Sequence, residues 1–552
     1  MILAKIVSSV EKCFLDDSIE RFDALTEISM LENERLSLQL FHTAVDAAHL
    51  ETLCKLTFDG ALAPYATVRT VEQVPVLVPC FPGASDDNYL RTAPGLYPDV
   101  LQPLHYGGQI LVIQNLLKSA WIEIDPAGAL EAGVYPLTVT LTDKDGEVVA
   151  TQTVSIEVIG ARLPEDDMIF TQWFHCDCLA NYYDCEAWSE RHWQIVENFA
   201  RTAVRNGINL LLTPIHTPPL DTAVGGERTT VQLVDVTVEN GVYSFGFEKL
   251  DRWIDMCDRI GVKYLEIAHF FTQWGAHHAP KIMATVDGEY KRIFGWDTDA
   301  TGEEYVRYLR AFIPAFLSHM KARGDDKRCY FHVSDEPCDE HLESYRAAKA
   351  VVSELLDGYV IMDALSNFDY WKMGLVETPI PASNHIAPFI EAQVPGLWTY
   401  YCCSQGKDVS NRFVAMPLWR TRCIGMQLYK YDIAGFLHWG YNHYNNRYSV
   451  DPINPYGDLS GDFWVPAGDT HSVYPAQDGT ALESVRILSF YEALQDNRAM
   501  KLAGTLCGKD AVVAAIEEIF GGEIRFDTCV KDSATMLAIR ARVNTLIKNA
   551  LA

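Results

Sequence analysis

Apolar and polar positions alternate with a period of two along much of the first 160 or so residues, between short turn signals. The clearest stretches are RLSLQLFHTAV and GVYPLTVTLTDKDGEVVATQTVSIEVIG, in which KDGE has the composition of a hairpin turn. A period of two is typical of strands with one buried face. The pattern predicts a β-sandwich domain over residues 1–162, which starts with a short N-terminal helix or arm.

The pattern changes after the polar joint ARLPEDDM at 161–168. Short apolar runs, from IFTQWFH to IAGFLHWGYN, now alternate with segments of helical periodicity near 187–206, 247–260, 302–322 and 339–356. Eight strand candidates in this parallel-type alternation predict a (β/α)8 TIM-type barrel over residues 163–478. Residues 479–552, which include ALESVRILSFYEALQDNRAMKLAG, are expected to form a C-terminal helical extension, so the chain is predicted to be multidomain.

The charge of the chain narrows the choice of partners. It has 552 residues, of which 74 are acidic and 45 are basic, for a formal net charge of −29. A surface this acidic repels phosphate backbones and anionic lipid, so neither nucleic-acid binding nor membrane binding is expected. A neutral or cationic small-molecule or oligosaccharide substrate fits better, and assembly into a homo-oligomer is compatible with this composition.

Targeting signals are not evident in the sequence. The stretch MILAKIVSSVEKCFLDDSIE has no uninterrupted apolar run with a cleavage site, and no segment reaches the roughly 18 apolar residues of a membrane span. The 14 cysteines are scattered without paired CxxC spacing, which favours a reducing compartment. A cytoplasmic protein is expected, unless a leader has been trimmed from this sequence.

Two neighbouring carboxylates, Asp335 and Glu336, follow the fourth apolar run in YFHVSDEP. In a barrel of this type the active site lies at the carboxyl ends of the strands, so the pair is a catalytic candidate. Aromatic and amide residues follow nearly all the other predicted strands, and such residues suit a carbohydrate. The predicted substrate-binding residues are Trp173, His175, His216, Asn367, Trp398, Tyr400, Trp439 and Asn442.

Simpler interpretations compete with catalysis. One is that Ser334 or Asp335 caps a following helix that has Pro337 in its first turn. HCDC at 175–178 and AHHAP at 276–280 contain metal-ligand residue types, but neither has a recognised ligand spacing, and no cysteine lies in a nucleophile signature. GxSxG and phosphate-loop motifs are absent from the sequence. We therefore expect no metal and no cofactor.

Several motifs, in this order along the whole chain, resemble those of the family 123 glycoside hydrolases, the β-N-acetylgalactosaminidases and their uncharacterised relatives. HVSDEP is similar to the family's Asp-Glu dyad, and LWTYYCC to its seventh strand. PLWRTRCIGMQLYKYDIAGFLHWGYNHY resembles the family's run from an arginine-bearing helix into a strand that ends in tryptophan. ESVRILSFYEALQDNRAM is similar to the family's C-terminal helix.

The resemblance implies a retaining, exo-acting β-N-acetylgalactosaminidase with substrate-assisted catalysis, which acts on β-linked N-acetylhexosamine. In such enzymes the substrate's own 2-acetamido oxygen attacks the anomeric carbon, an exception to the usual two-carboxylate scheme. Asp335 would accept the N–H of the developing oxazolinium ion, and Glu336 would act first as acid and then as base. Two adjacent carboxyls also resist ionising together, which keeps an acid available near neutral pH.

Two alternatives stay open at this point. Another glycosidase on the same scaffold would combine Glu336 with a distant carboxylate such as Asp177 or Asp363, and a non-catalytic protein would only bind carbohydrate. The residues do not distinguish GalNAc from GlcNAc. The loop SQGKDVSN after YCC and the insertion around 227–246 depart from the family pattern, so the leaving group and exo or endo action stay open as well.

Overall fold

The computed structural model describes residues 1–46, 50–104 and 107–551. The strands are β1 (Ile2–Ser8), β2 (Glu27–Leu31), β3 (Leu36–Ala44), β4 (Glu51–Asp59), β5 (Ala66–Val76), β6 (Gly95–Pro103), β7 (Gln109–Ile113), β8 (Lys118–Ile124), β9 (Gly133–Thr142), β10 (Val148–Ile159), β11 (Ile169–Gln172), β12 (Leu210–Thr213), β13 (Asp235–Glu239), β14 (Val242–Gly246), β15 (Tyr264–Ile267), β16 (Ile282–Val286), β17 (Glu289–Phe294), β18 (Cys329–Phe331), β19 (Val360–Ala364), β20 (Thr378–Ile380), β21 (Trp398–Tyr400), β22 (Gly435–His438), β23 (Val473–Pro475) and β24 (Ala481–Glu483). The helices are α1 (Cys176–Tyr182), α2 (Glu190–Arg205), α3 (Glu248–Ile260), α4 (Glu303–Arg323), α5 (Leu342–Ser353), α6 (Phe368–Lys372), α7 (Ala387–Glu391), α8 (Leu418–Arg422), α9 (Ile424–Lys430), α10 (Val485–Cys507), α11 (Lys509–Phe520) and α12 (Ser533–Leu551).

Two five-stranded sheets build the N-terminal region. One has the order β1-β3-β8-β5-β6, and the other has the order β2-β10-β9-β4-β7, in which β2 and β10 are parallel. Leu38 and Ile122 from the first sheet and Leu56 and Ile156 from the second belong to one buried apolar core. The β-rich N-terminal region that the period-two pattern predicts is therefore confirmed.

The chain begins with a strand, so the expected N-terminal helix or arm is wrong. β1 pairs antiparallel with β3, with Ile2 opposite Ala44 and Ile6 opposite Leu40. Ile2 and Ile6 are both buried. The segment ILAKIVS carries β-branched residues that suit a half-buried sheet, and pairing with β3 decides its conformation.

Eight parallel strands follow, separated by helices as the alternation predicts. β11, β22 and β21 form a three-stranded sheet, and β12, β15, β18, β19 and β20 form a five-stranded sheet. Every neighbouring pair in these two sheets is parallel. The carboxyl ends of the strands in each sheet therefore lie at one edge.

Within the described residues these strands form two sheets and not the single closed sheet that was predicted. At one junction the Asn209 N–H donates to the Phe170 carbonyl at 3.1 Å, and at the other the Tyr400 N–H donates to the Pro381 carbonyl at 3.2 Å. The strands on either side of the junctions have only three or four residues, which leaves room for few ladder bonds. The parallel alternation is confirmed, and the closed barrel stays a prediction.

Two further elements pack on this region. The insertion near 227–246 supplies the hairpin β13–β14, which joins β16 and β17 in a four-stranded sheet and packs on α4 through Phe245 and Phe312. Phe490 of α10 stacks on Phe170 of β11 with ring centroids 4.7 Å apart. The boundaries 1–162, 163–478 and 479–552 stay predictions. None of the helices in the described ranges has the length and apolar character that crossing a membrane requires.

Candidate active site

Asp335 and Glu336 follow β18 at the carboxyl end of the five-stranded sheet, and their backbone is fixed from both sides. The Asp335 carbonyl accepts the Trp274 N–H at 3.1 Å, and the Glu336 N–H donates to the Ala364 carbonyl at 3.0 Å. Glu336 has a φ of 43°, in the left-handed region. Such a conformation costs a side-chain-bearing residue on the order of 1–3 kcal/mol and persists where its surroundings impose it, often at functional sites.

Both carboxylates line a cavity of about 120 Å³, which we call the inner cavity. Tryptophan rings make up much of its wall, and they come from four separate segments of the chain. These residues are Trp173, Trp274, Trp439 and Trp464. Acidic groups beside aromatic walls form a site that can hold a sugar ring and transfer protons to it.

A second cavity of about 350 Å³, the outer cavity, adjoins the inner one. Glu336, Tyr400 and Cys402 line both cavities, and the Tyr400 hydroxyl donates a hydrogen bond to Glu336 Oε1 at 2.5 Å. The outer wall also includes the polar residues Asn367, His385 and Gln405. Glu336 therefore lies at the boundary between the two cavities, whereas Asp335 lines the inner one.

The electrostatics of the pair favour a retained proton. Burial and the neighbouring Glu336 carboxylate raise the pKa of Asp335 well above its usual range. Glu336 as a residue is exposed to solvent in the cleft, but protein atoms surround its carboxyl group and raise its pKa. The hydrogen bond from the Tyr400 hydroxyl opposes this rise. Close carboxyls resist simultaneous ionisation, so the pair holds an acid near neutral pH.

A third carboxylate, Asp221, also lines the inner cavity. It lies in the loop after β12, and its carbonyl accepts the Ser449 hydroxyl at 2.7 Å. Burial raises the pKa of Asp221 to about 7, against the opposing charge of Arg228. The cavity therefore holds three acidic groups with raised pKa values.

A buried polar cluster lies beside the strand ends. His332 contacts Glu266 Oε1 through Nε2 at 2.9 Å and Asp363 Oδ1 through Nδ1 at 3.3 Å. Burial by itself would lower the pKa of His332, but the hydrogen bonds to these two carboxylates outweigh it and raise the pKa to about 9. Glu266 also accepts the Trp173 indole N–H at 2.8 Å, so the cluster orients a cavity tryptophan.

The same cluster contains residue types that bind metals. Ligand atoms of His269, His332 and Asp363 lie within 4.8 Å of one another. However, both ring nitrogens of His332 face carboxylates, which is the arrangement of a protonated imidazole and not of a metal ligand. We therefore interpret the cluster as an ion-paired network.

The sequence family of the chain follows from a comparison with known domains. The model of the glycoside hydrolase 123 catalytic domain matches residues 173–503, a range that contains the dyad and every wall residue of the inner cavity. The chain belongs to glycoside hydrolase family 123. No curated protein sequence matches this family 123 chain.

Solved structures add a fold comparison for this family 123 member. A family 123 glycoside hydrolase from Clostridium perfringens, described in a study of glycolipid glycan hydrolysis, has a TM-score of 0.77 at 16% identity, over 100% of this chain and 98% of that one. This likeness shows a shared fold over the full length. A Bifidobacterium dentium β-glucuronidase reaches a TM-score of only 0.31 at 9% identity, over 90% of this chain and 66% of that one, and carries no argument.

Four of the predicted substrate-binding residues of this family 123 chain lie at the two cavities. Trp173, Tyr400 and Trp439 line the inner cavity, and Asn367 lines the outer one. Trp439 is oriented by its indole N–H, which donates to Asp469 Oδ2 at 2.9 Å. These four residues stay candidates for contact with substrate.

The other four predicted residues lie outside the lining of both cavities. Asn442 exchanges side-chain hydrogen bonds with the backbone of His175, and His216 bonds to the His269 carbonyl at 2.7 Å. Trp398 begins β21 and packs 6.2 Å from the ring of Tyr330. In the structure these side chains support the fold around the site.

The capping interpretation of the dyad is wrong. The next helix, α5, begins at Leu342, and Cys338 caps the short 3₁₀ turn before it. The Ser334 hydroxyl instead donates to the Thr272 carbonyl at 2.8 Å. Asp335 and Glu336 are therefore free of a capping role.

Several residues of the inner cavity were not predicted from the sequence, and two of them lie far from any strand end. Asp221 lies eight residues beyond the end of β12, and Trp464 lies in the long segment between β22 and β23. Cys402 and Cys403 follow β21 directly but were not expected to line the site. The only signal in the sequence was the unusual YCC run, and nothing comparable marked Asp221 or Trp464.

Proposed function

We propose that this chain is a retaining, exo-acting β-N-acetylgalactosaminidase that uses substrate-assisted catalysis. One observation carries the proposal. Asp335 and Glu336 are neighbours that both line the inner cavity, but of the two only Glu336 also lines the outer cavity. Such a division suits one group that acts on the bound sugar and another that acts on its bond to the leaving group.

In the first step Glu336, protonated, donates to the glycosidic oxygen at the boundary between the cavities. The 2-acetamido carbonyl oxygen attacks the anomeric carbon, and the leaving group departs toward the outer cavity. Asp335, ionised, accepts the N–H of the resulting oxazolinium ion and stabilises its positive charge. Glu336 then takes a proton from the water that opens the ring and gives the product with retained configuration.

The raised pKa of Asp335 is compatible with these proposed steps. In the site without substrate, burial and Glu336 favour the protonated form of Asp335. An acetamido N–H directed at Asp335 favours the ionised form instead, so substrate binding shifts the shared proton toward Glu336. Substrate thereby places the proton where the first step needs it.

The inner cavity also suits an acetamido group. Trp439, held by Asp469, and the neighbouring Trp464, whose ring centroid lies 5.3 Å from that of Trp439, offer apolar surface for the acetyl methyl. Tyr400 places its hydroxyl at the same wall. We further propose that the two parallel sheets function together as one (β/α)8 barrel, with these side chains at its mouth.

The fold comparison and the charge of the chain support a proposal for the substrate class. The Clostridium perfringens relative was studied for glycolipid glycan hydrolysis. By extension, we propose that the substrate here is a glycan, free or carried on a lipid, that ends in β-linked N-acetylhexosamine. The net charge of −29 favours a neutral glycan over a sulfated or sialylated one.

A glycosidase with a protein nucleophile is the second candidate. Of the carboxylates considered for that role, Asp177 is paired with Arg228 at 2.7 Å and Asp363 is bound to His332, and neither lines the inner cavity. Asp221 does line it, so this observation keeps the candidate open with Asp221 as the nucleophile.

A panel of 4-nitrophenyl glycosides tests the proposal. We expect release of nitrophenol from β-GalNAc, less from β-GlcNAc, and none from β-Gal or α-GalNAc. A thiazoline mimic of the oxazolinium ion should inhibit. Hydrolysis of β-Gal without thiazoline inhibition would instead support a protein nucleophile, and no hydrolysis of any compound would support a non-catalytic binding protein.

A further inference from the structure

Cys402 and Cys403 are adjacent thiols in the wall of the inner cavity. They are consecutive residues of the chain, and both line the same cavity. Cys402 also lines the outer cavity, so the pair lies beside Glu336 at the boundary. All 14 cysteines of the chain are free, and these two are the only ones that are neighbours in the sequence.

Hydrogen bonds hold the backbone of Cys402. The Cys402 N–H donates to Gln405 Oε1 at 2.8 Å, and the Cys402 carbonyl accepts Asn411 Nδ2–H at 2.9 Å. The backbone of Cys402 is therefore fixed, and Cys403 follows it directly in the wall of the same cavity.

Adjacent cysteines are poorly placed for a disulfide. Cα atoms across a trans peptide are about 3.8 Å apart, below the roughly 4.4–6.8 Å that disulfides usually span. The strain makes such a bond easy to reduce, so the resting form is a dithiol. A single atom bonded to both sulfurs closes a wider ring, and sulfur ligands are preferred by soft, thiophilic centres.

We propose that Cys402 and Cys403 form a dithiol site that takes one thiophilic trivalent centre, of the organic arsenoxide class, and that its occupation blocks the active site. Two arsenic–sulfur bonds replace the arsenic–oxygen double bond, both thiol protons leave with that oxygen as water, and the arsenic stays trivalent. The bound group fills space beside Asp335 and Glu336.

Phenylarsine oxide, added to the full chain at one equivalent, tests the site directly. Native mass spectrometry should show one phenylarsenic adduct per chain, and proteolysis should place it on the peptide that contains residues 402 and 403. A dithiol such as 2,3-dimercaptopropanol should remove the adduct, whereas a monothiol at the same thiol concentration should not. No adduct, or an adduct on another peptide, would overturn the proposal.

Variants separate this pair from other thiols. Cys402→Ser and Cys403→Ser each leave one sulfur and should lose the stable adduct. Cys507→Ser, which changes a half-buried cysteine at the end of α10, should bind as the unmodified chain does. Cys423 and Cys529, which are both buried and interact electrostatically, are the competing thiols, so an adduct that persists in Cys402→Ser but disappears in Cys529→Ser would refute the site.

Inhibition is the second readout and is independent of adduct mapping. On whichever glycoside the chain hydrolyses, one equivalent of phenylarsine oxide should lower the rate at least tenfold, and the dithiol should restore it. Inhibition that is absent despite a mapped adduct at 402 and 403 would contradict the blocking role. If the chain hydrolyses no glycoside, the mapping still decides whether the site exists.

Discussion

The Tyr400 hydroxyl donates a 2.5 Å hydrogen bond to Oε1 of Glu336. The bond connects the end of β21, in the three-stranded sheet, to the segment after β18, in the five-stranded sheet. It holds the Glu336 carboxyl where the inner and outer cavities meet. Because the bond favours the charged carboxylate, it also opposes the rise in pKa that burial causes at Glu336.

Removing this bond should change the pH profile of hydrolysis. In Tyr400→Phe the pKa of Glu336 rises further, so the alkaline limb of kcat/KM should move to higher pH, on the order of one pH unit. We also expect kcat to fall by about tenfold, since the carboxyl is less well positioned. Tyr401→Phe is the control: the buried Tyr401 hydroxyl has no hydrogen-bond partner among the described residues, so this variant should leave the alkaline limb unchanged. Equal profiles for the two variants would contradict this role of Tyr400.

The two members of the dyad should respond differently to the leaving group. In Glu336→Gln, substrates with poor leaving groups should slow by roughly 10²–10⁴-fold, whereas an activated phenol, which hardly needs protonation, should slow far less. Asp335→Asn should slow both substrate types, because oxazolinium formation suffers in either case. The measurement is kcat/KM for a nitrophenyl β-GalNAc glycoside and for a disaccharide. The same leaving-group profile in both variants would refute the assignment.

His332 should make stability depend on pH above neutrality. It faces Glu266 and Asp363 through hydrogen bonds and His269 through a ring stack at 4.1 Å. Its pKa is raised from 6.5 to about 9, so its contribution to stability is fully present below about 6.5 and is lost as the pH rises through about 9. Urea unfolding of the unmodified chain should therefore show falling stability across this window, and His332→Gln should be less stable at pH 6 with a flatter dependence.

The same variant should affect the acid limb of activity. The charge of His332 lowers the pKa of Asp335, so its loss raises that pKa and should move the acid limb of kcat/KM to higher pH. If the acid limb of kcat/KM stays at the same pH in His332→Gln while the stability of the chain falls, His332 supports only the fold.

Trp439 should matter for binding and catalysis more than for stability. Trp439→Phe removes the bond to Asp469 and loosens the proposed acetamido enclosure, so we expect kcat/KM to fall by about tenfold, as loss of one positioned contact does. Trp253→Phe is the matched control: Trp253 is buried and bonded to Thr213 at 3.1 Å outside the cavity. It should lower the melting temperature with little change in KM. Equal kinetic effects of the two substitutions would remove Trp439 from the proposed enclosure.

The sequence predicted the parts of the site that depend on local pattern. The apolar run before Asp335 and Glu336 predicted a strand, and the alternation of strands and helices predicted that the two residues lie at its carboxyl end. Trp398 shows the limit of that argument: period two places Trp398 and Tyr400 on one face of β21, but Trp398 begins the strand and only Tyr400 reaches the cavities.

Loop residues could not be predicted in the same way. Asp221 reaches the inner cavity from a loop in which its own φ is 46°, and the loop before Trp464 has φ values of 60° and 61° at Asp462 and Phe463. Left-handed conformations at such residues are imposed by the surrounding structure and have no periodic signal in the sequence. His175 and Asn442 suggested polar site residues, but their hydrogen bonds to each other depend on two distant segments meeting.

The most direct test of substrate assistance is a series of nitrophenyl β-GalNAc substrates whose N-acetyl group carries none, one, two or three fluorines. Fluorine withdraws electron density from the carbonyl oxygen that is proposed to attack the anomeric carbon. We predict that log kcat/KM falls steadily with each fluorine, by more than about tenfold across the series. A flat series would contradict the account and would indicate a nucleophile supplied by the protein, for which Asp221 is the candidate in the inner cavity.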